Sequence, residues 1–269
     1  MNRRERGVGF LYLLCDTGVS NMKIEINDIK GFIKLFDALS PMLSTDLFMI
    51  VDPEKIRVEE IDPTHTSLVN LTIDNKYFES YDVEEEYNIP LDYETFIKYL
   101  NMFSGFKMLK LEYIPENNRV NMSAAEGKKR KKTHIQTIEV DHEIVPTVKA
   151  TYTAMITIAS SEFDRAVKDA NTVTEDELVL ECDGNEFIIS ANSVGAGTQD
   201  AWKIGEDALA LLQGSCSSKF PTKTLSEISA KAKGCSKNIL ISLATDTPVK
   251  LTYSFPYGSL IYYTVPIIR

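Results

Sequence analysis

The chain has 269 residues, enough for one large domain or two of ordinary size. It is 43% hydrophobic and 25% charged, the make-up of a soluble globule, and no stretch is long enough to span a membrane. A net charge of −10 excludes a wholly basic nucleic-acid binder but not a local basic face. The four cysteines (Cys15, Cys182, Cys216, Cys235) contain no CxxC pair and the histidines are three. A zinc site and a disulfide framework are therefore not expected, and a reducing compartment fits.

Residues 1–21 place basic residues ahead of a short apolar run, Val8 to Cys15, in the manner of a signal peptide, but no A-x-A site follows. They are read as a disordered extension or a misassigned start, and patterned sequence begins at Met22. Next comes an apolar stripe at helical spacing, Ile29, Phe32, Ile33 and Phe36, with Asp28 where an N-cap belongs. FMIVDPEKIRVEEID (48–62) alternates on either side of Asp52-Pro53 and reads as a hairpin.

IDPTHTSLVNLTI (61–73) alternates like a strand after a rigid Asp-Pro corner. Asp62 and His65 there read either as half of a catalytic or metal site or as a turn that presents a sheet face. No nucleophile or second base stands nearby, and His134 and His142 are isolated, so the turn is preferred and no catalytic or metal residue is assigned. YDVEEEYN (81–88) reads as an acidic surface loop leading into a strand. A second helical stripe, Tyr93, Phe96, Ile97 and Leu100, follows Asp92. GKKRKK (127–132) is the most basic run; a solvated hairpin loop is preferred to a DNA contact or an import-like patch. THIQTIEV (133–140) reads as a strand.

The second half repeats the first. SSEFDRAVKDANTV (160–173) gives the stripe Phe163, Ala166, Val167, Ala170, with Ser160 or Ser161 as cap. VLECDGNEFIISAN (179–192) repeats the hairpin around Asp183-Gly184. SVGAGTQD (193–200) lacks the lysine of a P-loop and reads as a turn into an edge strand. The fourth stripe, Leu225, Ile228, Ser229 and Ala232, has Pro221 suited to its first turn. At an offset of 131, Asp52 matches Asp183, Ile56 Phe187, Val58 Ile189, Phe32 Phe163 and Leu109 Leu240. At the same offset MLKLEYIPENNRVNMSA (108–124) matches ILISLATDTPVKLTYSF (239–255). Such a series implies two domains of one fold.

The fifth residue beyond each stripe's start lies about 140° round the helix, near the solvent side. It is Lys34, Lys98 and Lys168 in three helices and Ala230 in the fourth. Lys30, Arg165, Lys223 and Lys231 occupy neighbouring polar positions, among acids such as Asp37, Glu94, Asp164 and Asp169. A recurring basic phase on an acidic protein points to a polyanion held through phosphates without base reading. No aromatic stripe accompanies it, so stacking on single strands is not expected.

IDPTHTSLVNLTI, SSEFDRAVKDANTV, LATDTPVKLTY (243–253) and LIYYTVPIIR (260–269), in that order, resemble proliferating cell nuclear antigen, the archaeal and eukaryotic DNA sliding clamp, over roughly 22–269. The resemblance implies an α+β fold of two similar clamp domains (22–139 and 151–269), each of two βαβββ units, joined by a connector (140–150). It implies a trimeric ring with antiparallel sheets outside and helices, with their lysines, lining the hole. The function implied is a processivity factor, not an enzyme and without cofactor, that encircles duplex DNA. Its partners would be DNA polymerase, clamp loader, flap endonuclease and DNA ligase, bound through short peptides. The place would be the archaeal cytoplasm, at the nucleoid, or the nucleus of a eukaryote.

Carried across, the peptide pocket would comprise Ile61, His65, Thr66, Leu68, Ile144, Val145, Pro248, Tyr263, Val265 and Pro266. Thr66, Val265, Glu143 and the Ile-Ile-Arg ending depart from the family pattern and bear on partner preference. A checkpoint-type clamp, one subunit of a heterotrimer and, less favoured, a carboxylate-based hydrolase are the alternatives.

Overall fold

A computed structural model of the chain describes residues 22–43, 45–140 and 145–268. The expected extension at 1–21 lies outside the described residues, as do Ile144 and Glu143 of the connector and the terminal Arg269.

The first half runs β1 (Met22–Ile26), α1 (Ile29–Asp37), β2 (Asp46–Val51), β3 (Lys55–Ile61), β4 (Ser67–Asp74), β5 (Ser80–Asp82), β6 (Tyr87–Asp92), α2 (Tyr93–Asn101), β7 (Leu109–Ile114), β8 (Arg119–Glu126) and β9 (Lys129–Gln136). The second repeats the order: β10 (Ala154–Ala159), α3 (Ser160–Val173), β11 (Glu177–Cys182), β12 (Glu186–Ser193), β13 (Ala196–Lys203), β14 (Leu209–Gln213), β15 (Cys216–Pro221), α4 (Thr222–Ala232), β16 (Asn238–Leu243), β17 (Val249–Phe255) and β18 (Gly258–Thr264). Each half holds two βαβββ units plus one short strand, β5 or β14. All strand pairings between these elements are antiparallel.

In the first half the strands form the sheets β5-β1-β7-β8-β9 and β4-β3-β2-β6. In the second they form β14-β10-β16-β17-β18 and β13-β12-β11-β15. One strand pair joins the halves: β18 lies along β4, Gly258 opposite Ile73 through Thr264 opposite Ser67, and makes a nine-stranded sheet. Strand alternation explains the packing. Met22, Ile24 and Ile26 of β1, and Leu71 and Leu260 at the seam, are 0–1% exposed and belong to one continuous core. The helices cover that core on one side in the spatial order α2, α1, α4, α3. Lys231 of α4 meets Asp37 of α1 at 3.1 Å across the domain boundary, and the Tyr262 hydroxyl donates to the Ala38 carbonyl.

The duplication extends to individual bonds. Asp52 accepts from the amides of Glu54 and Lys55 at 2.8 and 3.0 Å. Asp183 accepts from those of Asn185 and Glu186, both at 2.8 Å. A carboxylate that caps its own turn suits both hairpins.

Several sequence expectations shift. The helix caps at Asp28 and Asp92 are as expected, accepting from Gly31 and Thr95. Helix α3 instead starts after Ala159 without a side-chain cap, and Ser160 is its buried first residue. Pro221 precedes α4 as its cap residue rather than lying in the first turn. Leu35 joins the buried stripe of α1, while Ile33 and Ile97 are only half-buried. Leu109 is matched by Ile239, not Leu240: Leu109 pairs with Ile26 on β1 and Ile239 with Ile158 on β10. Loop-length differences have moved the offset by one, which turns Leu240 to the other face. The basic run is not a loop. The turn sits at Gly127, and Lys129 to Lys132 open strand β9, which ends at Gln136 rather than 140.

Candidate functional sites on the helix layer and the outer sheet

Each helix buries its apolar stripe and leaves its lysines in solvent. Lys30, Lys34, Lys98, Arg165, Lys168, Lys223 and Lys231 are all exposed. Their charges are not equally free. Lys168 lies 3.0 Å from Asp164, which also binds Lys233 at 2.7 Å. Burial opposes ionisation of Asp164, yet hydrogen bonds from Lys233 and Lys168 hold its carboxyl below the usual range. Arg165 lies 3.7 Å from Asp200, and Lys231 is held by Asp37. Lys30, Lys34, Lys98 and Lys223 have no ion pair among the described residues. They are the cations of this layer whose charge no neighbouring carboxylate offsets among the described residues. Lys233, at the end of α4, escaped the sequence reading because it lies past the periodic stripe.

The second site is on the opposite, outer face of the nine-stranded sheet. Ile61 stands opposite Leu68, Leu68 opposite Tyr263, and Tyr263 opposite Lys250, in one row across β3, β4, β18 and β17. Neighbours in such a row share a face, and the residues next to them, Val69 and Tyr262, are buried on the core side. The Lys250 ammonium lies 5.7 Å from the Tyr263 ring centre. Beyond β18 the tail stays attached: Val265 N–H donates to the Thr66 carbonyl at 2.9 Å and Ile267 N–H to that of Lys219 at 2.8 Å. Val265 is 39% exposed and Pro266 half-buried. Pro248 is half-buried one residue before Val249, which faces Thr264. These residues therefore meet at one end of the seam. Val145 is half-buried in an irregular segment.

Tyr152 was not foreseen. Burial, with Tyr263 nearby, pushes its hydroxyl up to about 12, and that buried oxygen has no hydrogen-bond partner among the described residues. It precedes β10 in irregular chain, so no periodicity marked it.

The Asp-Pro corner is a turn built by its carboxylate. Asp62 accepts from the amides of Thr64 and Thr66 at 3.1 and 2.8 Å, and from the Ser67 amide and Thr64 hydroxyl. Partial burial works against ionisation, but these bonds outweigh it and hold the carboxyl below its ordinary value. His65 is exposed at φ +55°, its amide bound to the Asp62 carbonyl at 2.8 Å. All of Asp62's acceptor capacity goes to the turn, which leaves none for a metal or a general base. Among the described residues no three His, Cys, Asp or Glu side chains are grouped to hold a metal, and no helix is long and apolar enough to cross a membrane.

Two duplicated α+β domains, joined by a shared sheet and carrying all four helices on one side, define a clamp-type fold. The family described as "Proliferating cell nuclear antigen, C-terminal domain" matches residues 147–268. DNA polymerase sliding clamp 1 of Pyrobaculum aerophilum is 29% identical over 242 residues, 88% of this chain and 94% of the relative. The DNA polymerase sliding clamp of Methanococcus vannielii is 25% identical over 245 residues, 89% of this chain and 96% of the relative. The fold matches proliferating cell nuclear antigen of Entamoeba histolytica with a TM-score of 0.85 at 19% identity, covering 92% of this chain and 99% of that one. The second half of the chain thus matches the proliferating cell nuclear antigen family, and nearly its whole length is similar to DNA polymerase sliding clamps.

Proposed function

We propose that three copies of the chain close into a ring that holds duplex DNA against the helix layer and tethers replication enzymes on its outer sheet. One observation carries this reading. β18 and β4 pair within the chain, and their repeats, β9 and β13, are sheet edges. The repeats are 129 residues away in both cases, β9 and β18 starting at 129 and 258, β4 and β13 at 67 and 196. They carry the same burial pattern, with one buried residue each, Ile135 and Trp202. An unpaired edge calls for a strand, and the intramolecular seam supplies the template. Shifted by 129, the pair Leu260–Leu71 becomes Lys131 opposite Asp200 of a neighbouring copy. The domain division at 22–139, 140–150 and 151–269 follows the same repeat.

The unpaired lysines on the helices support sequence-independent contact with phosphates. The row Ile61, Leu68 and Tyr263, with Thr66, Pro248, Val265, Pro266 and the rim residue His65, supports an apolar anchor site for short peptides of DNA polymerase, clamp loader, flap endonuclease and ligase. The role is tethering and not catalysis, at the nucleoid in an archaeon or in the nucleus of a eukaryote. Size-exclusion chromatography with light scattering on the isolated chain tests the assembly. A trimer mass is expected; a stable monomer at micromolar concentration would favour a heterotrimer instead.

A further inference from the structure

The tip of the β17–β18 hairpin holds an anomaly. Tyr257 has φ +65°, a left-handed corner that ordinarily takes glycine. Gly258 follows it, but for a separate reason: a Cβ there would strike the Phe255 ring and the Thr72 carbonyl. The Tyr257 carbonyl accepts from the Asp74 amide at 2.7 Å, which fixes the backbone and makes no use of the ring. The side chain is 55% exposed. A large aromatic kept in a strained position without burial points to a use outside the fold.

The surroundings indicate the use. Tyr257 borders a cavity of about 420 Å³ that is also lined by Lys30, Lys34, Tyr77, Phe255 and Cys235. Lys30 and Lys34 are one turn apart on α1, and both are exposed and without an ion pair among the described residues. Tyr77 and Phe255 meet edge to face at 6.4 Å between ring centres. Asp28, the carboxylate in this lining, is engaged as the α1 cap. An adjoining cavity of about 500 Å³ shares Cys235, Phe255 and Pro256 and adds Lys237. With Lys30 and Lys34 lining the first and Lys237 the second, the two together make a groove at the hairpin.

We propose that this groove binds an unpaired stretch of DNA, one base stacked on Tyr257 and the flanking phosphates on Lys30, Lys34 and Lys237. Rings interleaved with lysines suit a base and its phosphates, because every base offers a π face. Two cavities in series suit a strand rather than a free nucleotide. The clamp reading accounts for what brings DNA to α1; the binding itself does not depend on it. The rings come from two segments far apart in sequence, Tyr77 and the pair Phe255 and Tyr257, so no helical or strand period links them.

The test is fluorescence anisotropy with the full chain, using a labelled oligothymidylate of about ten nucleotides and a duplex of equal length. Tyr257→Gly should weaken oligothymidylate binding about ten-fold and leave duplex binding unchanged. Its melting temperature should hold or rise, since glycine relieves the corner. Tyr257→Phe should bind as the parent does. The proposal is overturned if the parent does not bind oligothymidylate, or if Tyr257→Gly binds it equally well. Thymidine monophosphate competing as efficiently as the oligomer would overturn the strand reading. Oligothymidylate binding without duplex binding would uphold the groove, and the clamp reading would then stand or fall on the trimer mass alone.

Discussion

The ring register can be tested through one charge pair. Lys131 is expected to face Asp200 of the next copy on the helix side of the seam. Within one chain, Lys131 donates to the Met102 carbonyl at 3.1 Å, and Asp200 already has Arg165 at 3.7 Å. Opposite charges facing across strands contribute about 0.2–1 kcal/mol, and like charges cost a similar amount. Lys131→Glu should therefore cost about 0.5–2 kcal/mol per interface. Arg165 partly offsets the repulsion, which favours the lower half, about 0.5–1 kcal/mol. A closed ring has three such interfaces, so the loss is about 1.5–3 kcal/mol, roughly a 10- to 150-fold weaker assembly. Sedimentation velocity over a concentration series would measure it, with circular dichroism to check the fold. Adding Asp200→Lys to the first variant should recover part of the loss, limited by Arg165. If Lys131→Glu assembles like the parent, or if the double variant is weaker than the single, the 129-residue template for the seam is wrong.

Replacing Lys34, Lys98 and Lys168 by Ala should weaken polymerase stimulation and flatten the salt dependence of DNA association, with Lys168 contributing least because Asp164 shares its charge; an unchanged salt slope would remove the helices from the DNA wall. Val265→Trp should abolish binding of partner peptides in calorimetry while ring and DNA association persist, and His65→Ala should cost less; intact binding by the Trp variant would show the pocket is elsewhere. Burial raises the Glu60 carboxyl to about 7, with the Phe48 amide bond at 3.0 Å opposing and Asp46 adding. Ionising it costs the folded state more than the unfolded, so stability falls as pH rises from 4.5 towards 7. After discounting for its solvent contact, Glu60→Gln should stabilise by about 1–2 kcal/mol at pH 8 and by little near pH 4; equal urea midpoints for both proteins at pH 8 would refute the assignment. Asp62 has the opposite sign: its lowered carboxyl stabilises the turn above the unfolded value and loses that effect as pH falls through the folded one. Asp62→Ala should cost about 2–3 kcal/mol by stranding its donors, read as a lower melting temperature at pH 7 that narrows in acid.

The sequence by itself determined the four helices, the two Asp-centred hairpins and the duplication. Helical spacing exposed the stripes Phe163 to Ala170 and Leu225 to Ala232, and alternation exposed the paired hairpins at Asp52 and Asp183, because burial on one face writes a period into the chain. It also placed lysines on the solvent phase of three helices. Which of them are free was decided only in three dimensions. Asp164 reaches Lys233 just past the end of another helix, and Asp37 reaches Lys231 in the other half of the chain; ion pairs between elements leave no period. The same holds for the row Ile61, Leu68, Tyr263 and Lys250, which depends on strand register. One residue of slip, as between Leu109 and its match Ile239, exchanges the two faces of a strand. The sheet edges β9 and β13 became visible only when β18 was found on β4, since whether a strand is paired or bare is a property of its neighbours and not of its own residues.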